Sequence, residues 1–153
     1  VREALFSVLG PLDGFVVLDL FAGSGALGIE ALSRGAAHAD FVDSAPAAIG
    51  VVRANLEALG IAAEAASVQR QDARAFLRGA RASARQYDLV FLDPPYRRAV
   101  ALAEELAPLL AAPLAAGGRV VSESDRRAPL ELELPLIDER RYGDTIIRIH
   151  EHQ

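Results

Sequence analysis

Cysteine, methionine, tryptophan and lysine are all absent from the 153 residues. Without cysteine there is no disulfide, no thiolate nucleophile and no thiolate metal site. Methionine is missing even at position 1, so residues are expected before Val1. With no lysine, all 16 basic residues are arginine. Beside abundant alanine this reads as the coding bias of a GC-rich genome, not as guanidinium chemistry at every site. No apolar run approaches the roughly 20 residues that cross a bilayer, so no membrane role is expected. No charged, apolar, small-residue leader is visible, and a cytoplasmic protein is the default expectation. Histidine is scarce: His38, His150 and His152. The last two fall at the end of the chain, where a solvated tail is expected before a metal site, and no metal is expected.

What is present is ordinary for a soluble globular domain. Hydrophobic residues make up 52% and charged residues 24%, enough to bury a core within one domain spanning 1–153. The net charge of −5 disfavours a broad, sequence-independent grip on a polyanion, which needs many neutralised phosphates.

Strand and helix patterns alternate along the chain. A helix is expected over 2–9, then strands over 15–20, 39–42, 65–70, 87–92 and 119–123, with helices over 26–34, 46–59, 73 to about 84, and 99–110. The tail offers two more strands, 130–134 running on past Pro135, and 145–150. Such alternation predicts a parallel sheet with helices on both faces and a terminal hairpin at one edge.

Asp19 to Gly28 contains G-x-G-x-x-G between the first strand and its helix, and Asp43 ends the second strand. A dinucleotide would bring its pyrophosphate to that helix N-terminus, where Asp19 would repel it. S-adenosylmethionine (SAM) carries a cationic sulfonium and an ammonium instead, which Asp19 attracts. The charge therefore favours SAM over a nicotinamide or flavin cofactor, with S-adenosylhomocysteine (SAH) as product. The candidate cofactor contacts are Asp19, Phe21, Ala22, Gly23, Ser24, Gly25, Asp43, Asp72, Ala73 and Asp93. Asp72 has two readings of equal weight, an adenine contact and an N-cap for the helix at Ala73.

Asp93-Pro94-Pro95-Tyr96 follows the fourth strand and supplies the candidate catalytic residues. The Asp93 carboxylate and the Pro94 carbonyl can accept both protons of one substrate amino group and aim its lone pair. Tyr96 offers a stacking surface for an extruded base. Arg97 and Arg98 stand at the mouth as candidate phosphate contacts. Arg74, Arg78, Arg81 and Arg85 recur at helical spacing and read first as a solvated stripe.

At these residues the chain resembles the RsmD family of bacterial methyltransferases. Val1 to Phe6, Asp19 to Gly28 with Ile29 to Ala36, Asn55-Leu56 and Asp93 to Tyr96 carry the resemblance in the family's order. It implies a Rossmann-like class I SAM-dependent methyltransferase, with a seven-stranded, mostly parallel sheet whose last strand is antiparallel. It implies methylation of guanine N2 in 16S rRNA, within an assembled or assembling small ribosomal subunit, by a monomer. Asp19, Gly23 and Gly25 would line the methionine end of SAM. Asp43 would bind ribose, Asp72 would lie near adenine, and Asp93 to Tyr96 would hold the guanine. The chain departs in having Asp43 where glutamate is common, and in lacking the family's basic stretch before Val1. Because D-P-P-Y also occurs in adenine-N6 enzymes, an adenine-N6 or DNA amino-methyltransferase stays open. An NAD-dependent oxidoreductase and a non-catalytic ribosome-assembly module are the remaining alternatives.

Overall fold

The computed structural model describes residues 2–83 and 85–153, with the side chains of Ala82 and Tyr96 outside the described set. Helix α1 (Arg2–Leu9) precedes β1 (Val16–Leu20), α2 (Ala26–Ser33), β2 (His38–Asp43) and α3 (Pro46–Ala58). Then come β3 (Ala66–Arg70), α4 (Ala73–Ser83), β4 (Tyr87–Leu92), α5 (Ala99–Leu110), β5 (Leu114–Asp125), β6 (Leu136–Tyr142) and β7 (Thr145–Glu151). One-turn 3-10 helices occupy Ala63–Ala65 and Tyr96–Arg98. The sheet has seven strands in the order β3-β2-β1-β4-β5-β7-β6. β1 to β5 pair in parallel, and β7 runs antiparallel to β5 and β6.

The strands that read as near-continuous apolar runs are buried on both faces, as helices on either side require. Leu18, Val90 and Leu92 pack with Phe76, Leu77, Leu106 and Leu110 of α4 and α5. Val17, Leu89 and Phe91 pack the other way, with Phe6, Leu9, Val52 and Leu56 of α1 and α3. Among the described residues no helix is long and apolar enough to cross a membrane.

Three expectations fail in the tail. The segment from Leu130 to Leu134 is not a strand, although Leu130, Leu132 and Leu134 pack on the α4–α5 core. The strand is instead Leu136–Tyr142, a charged sequence that the sheet places at its outer edge, where both apolar alternation and burial are relaxed. The predicted strand at 119–123 is longer, Leu114–Asp125, because a register irregularity against β4 carries pairing past Gly117-Gly118. A Cβ on Gly118 would stand 2.9 Å from the Tyr87 carbonyl oxygen, so that irregularity needs glycine. Nor is the C-terminus a solvated tail. His150 is buried in β7, and His152 exchanges backbone hydrogen bonds with Gly117 and Gly118.

Candidate active site

Register decides what gathers at the carboxyl edge. Leu20 pairs with Val42 on one side and with Leu92 on the other. The next residues, Phe21, Asp43 and Asp93, therefore stand side by side at that edge. β1 is flanked by β2 and β4, so this is where the strand order reverses and where ligands bind in such sheets.

The glycine loop is held from three directions. Gly23 N–H donates to Asp43 Oδ2 at 3.0 Å, and Ala45 N–H to Asp43 Oδ1 at 2.9 Å. Asn55 Nδ2 donates to the Ser24 carbonyl at 3.0 Å, and Gly28 N–H to Asp19 Oδ2 at 3.0 Å. Each glycine has its own reason. Gly23 and Gly25 have φ of 58° and 81°. Gly28 is a packing glycine: a Cβ there would lie 2.4 Å from Phe41 Cε1. Phe21, with φ of 65°, is the described non-glycine residue in the left-handed region, a conformation that costs a bulky side chain and concentrates at functional sites.

A cleft of about 420 Å3 opens over these tips. Its walls include Phe21, Gly23, Asp43, Asp72, Ala73 and Asp93, together with Pro95 and Arg98. Ser44, Ala45 and Gln71 also line it and were not singled out in the sequence. A second cleft of similar size, about 430 Å3, lies between β3 and α4 against Gln69, Phe76, Arg85 and Tyr87. It contains none of the motif residues, so the first is the candidate site.

Four of the sequence-derived cofactor contacts do not line the cleft: Asp19, Ala22, Ser24 and Gly25. Asp19 faces inward, 3% exposed, bonded to the first turn of α2. Burial pushes its pKa up to about 7, against the Gly28 hydrogen bond, with Asp93 and Asp43 adding repulsion. It shapes the loop and contributes charge from beneath it. Ser24 and Gly25 carry the loop's backbone, through Asn55 and through the Gly25 N–H to the Ala22 carbonyl at 2.8 Å.

Asp72 caps α4, its Oδ2 accepting from Arg74 N–H at 3.1 Å and Ala75 N–H at 3.2 Å. It lines the cleft as well, so both of its roles fit one position. Asp93 keeps a face open to solvent. Even so, the surrounding walls desolvate it, and the nearby Glu123 carboxylate adds repulsion, raising its pKa to about 6. Asp93, Pro94, Pro95 and Glu123 together line a smaller recess beside the main cleft. Glu123 escaped the sequence reading; an acid at the carboxyl end of the strand next to β4 was the available signal. The Tyr96 stacking surface lies outside the described side chains.

The arginines divide. Arg97 and Arg98 are exposed beside the mouth. Arg126, Arg127 and Arg140 are paired with Asp144, Asp125 and Asp138, so their charge is spent locally. Arg74 pairs with Glu105 at 2.8 Å. Arg85 departs from the solvated stripe: it lies beyond α4 and pairs with Asp40. Asp40 is fully buried in β2 and also receives Tyr87 Oη at 2.6 Å, Ser67 Oγ, and His38 Nε2 at 2.8 Å. Burial alone would raise its pKa, but these hydrogen bonds outweigh it and hold the carboxyl below its ordinary value. This network is structural and does not line the motif-bearing cleft.

Residues 1–151 match the family model described as conserved hypothetical protein 95. YlbH of Bacillus subtilis, which carries the provisional name of an rRNA methyltransferase, is 43% identical over 141 residues, 88% of this chain and 71% of that protein. The ribosomal RNA small subunit methyltransferase D of Escherichia coli is 42% identical over 111 residues, 72% of this chain. The chain spans 52% of that relative's length. A conserved hypothetical protein from Streptococcus pyogenes superposes with a TM-score of 0.84 at 34% identity, covering 100% of this chain and 96% of that one. The match over nearly the whole chain, with the seven-stranded sheet and its antiparallel β7, places this chain in the RsmD family of methyltransferases, the family of conserved hypothetical protein 95.

Proposed function

We propose that this chain transfers a methyl group from SAM to the exocyclic N2 of a guanine in 16S rRNA, on an assembled or assembling small ribosomal subunit. The observation that carries the reading is the convergence of Asp43, Asp72 and Asp93 on one cleft above a glycine loop. Its volume of about 420 Å3 suits a small-molecule cofactor. Its acids suit a cationic ligand and oppose a pyrophosphate, which argues against a nicotinamide cofactor. The names of the relatives supply the rRNA substrate class.

SAM supplies an electrophilic methyl group on a cationic sulfur. The protein's part is binding and orientation. The glycine loop allows the backbone to approach the cofactor closely. Asp43, at the tip of β2, would take the ribose hydroxyls with its remaining lone pairs, and Asp72 would take the adenine amino group. Asp93 and the Pro94 carbonyl would hold the target amino group and aim its lone pair at the methyl group to be transferred. With its raised pKa, Asp93 can take up the amino proton after transfer and pass it to solvent. Arg97 and Arg98 would grip backbone phosphates at the mouth.

The experiment is transfer of labelled methyl from SAM to unmodified small subunits and to naked 16S rRNA, using the full-length chain. Label should enter RNA in the subunit. No transfer to either acceptor would overturn the reading.

A further inference from the structure

The D-P-P-Y chemistry handles any amino group, so it does not by itself distinguish guanine from adenine. The recess beside Asp93 holds a residue that can. Glu123 lies near the end of β5, opposite Ile147 of β7, and shares the recess with Asp93, Pro94 and Pro95. It is partly buried. Neighbouring Arg148 pairs with Glu131 and Glu139, and none of the described residues forms a salt bridge with Glu123. The Glu123 carboxylate repels Asp93 and helps raise the pKa of Asp93, so a ligand that brings donors to both would relieve that repulsion.

The nucleobases differ at this point. Guanine presents two adjacent donor groups, the 2-amino group and N1–H. Adenine and cytosine each present an amino group next to a bare ring nitrogen, which is an acceptor. An ionised carboxylate only accepts. A carboxylate beside the amino site therefore attracts N1–H of guanine and repels the ring nitrogen of the other two.

We propose that Glu123 is a specificity-determining residue that selects guanine by accepting its N1–H while Asp93 and the Pro94 carbonyl take the protons of the 2-amino group. This rests on the guanine-N2 reading above. Asp93 then positions the nitrogen that reacts, and Glu123 identifies the base that carries it.

The test uses the full-length chain and small subunits reassembled with guanine or 2-aminopurine at the methylated position. 2-Aminopurine keeps the 2-amino group but has an acceptor at N1. The wild-type enzyme should favour guanine by about 10- to 100-fold in kcat/KM, the range of one hydrogen bond to a charged group. E123A should lose most of its rate on guanine and keep its rate on 2-aminopurine, flattening the ratio. E123Q should gain on 2-aminopurine, because the rotated amide donates to a bare N1, an effect that loss of structure does not produce. SAH affinity, read by calorimetry, should stay within about twofold in both variants, since Glu123 does not line the cofactor cleft. If both variants bind SAH and keep the wild-type ratio, the assignment of Glu123 is wrong even though guanine is methylated. If the wild-type product is instead N6-methyladenosine, the guanine reading itself falls.

Discussion

Asp19→Asn takes a charge out of the interior while leaving an oxygen to accept the Gly28 N–H. The folded pKa of Asp19 is about 7 and its ordinary value is 3.8. Between these values the folded chain holds the proton more tightly than the unfolded chain, so stability falls as pH rises. The contribution is fully present below 3.8 and is lost as pH passes 7. Across the whole window the loss is about 4 kcal/mol, and between pH 5 and 7 it is about 2 kcal/mol. For a chain of this size the loss between pH 5 and 7 corresponds to a fall in Tm of about 4–8 °C. The Asn variant should lack this slope. Its new amide NH2 group needs a partner and imposes a penalty, but that penalty does not vary with pH. Other titrating groups, such as His150 with its pKa lowered by burial and by Arg148, are common to both proteins and cancel in the difference. The assay is thermal melting of both proteins without ligand from pH 5 to pH 8. Parallel Tm curves would refute the argument, because the slope would then arise elsewhere. The same reasoning links protons to ligand: near pH 6, binding of cationic SAM should expel protons from Asp19 and Asp93, and SAH, lacking the sulfonium charge, should expel fewer.

Four further outcomes follow from the geometry. Asp93→Ala should lower kcat by about 100-fold or more while changing SAM affinity far less, since its proposed role is orientation of the amino group. Wild-type activity should rise about tenfold per pH unit below pH 6 and level off above it, as Asp93 ionises; a flat profile across pH 5–7 would contradict that role. Gly28→Ala should destabilise by about 1–3 kcal/mol, because its Cβ would enter the Phe41 ring and force a shift, measurable by urea unfolding. Asp40→Ala should cost about 3 kcal/mol by leaving the Tyr87 hydroxyl buried without its acceptor, whereas Arg85 can turn to water.

Strong local signals were legible in the sequence and weak ones were not. The apolar runs at Val16–Leu20 and Tyr87–Leu92 and the glycine-interrupted helix starts fix the parallel sheet, and with it the side-by-side placement of Phe21, Asp43 and Asp93. β6 was missed because an edge strand needs no apolar alternation, while the preceding leucines mimic one by packing from an irregular segment. The burial of Asp19 was not legible because sequence gives proximity to the loop but not direction. The hydrogen bond from Gly28 N–H shows that the Asp19 carboxyl turns under α2. Asp40 and Glu123 were passed over for a shared reason. Each depends on residues far along the chain, Arg85 and Tyr87 for one and Asp93 for the other, and their meeting is set by strand order.

The identity of the methylated atom separates guanine-N2 transfer from adenine-N6 transfer. Small subunits lacking the modification, incubated with the full-length chain and labelled SAM, can be digested to nucleosides and resolved by mass spectrometry against synthetic standards. The label should appear in N2-methylguanosine. Label in N6-methyladenosine, or in no nucleoside at all, would contradict the account.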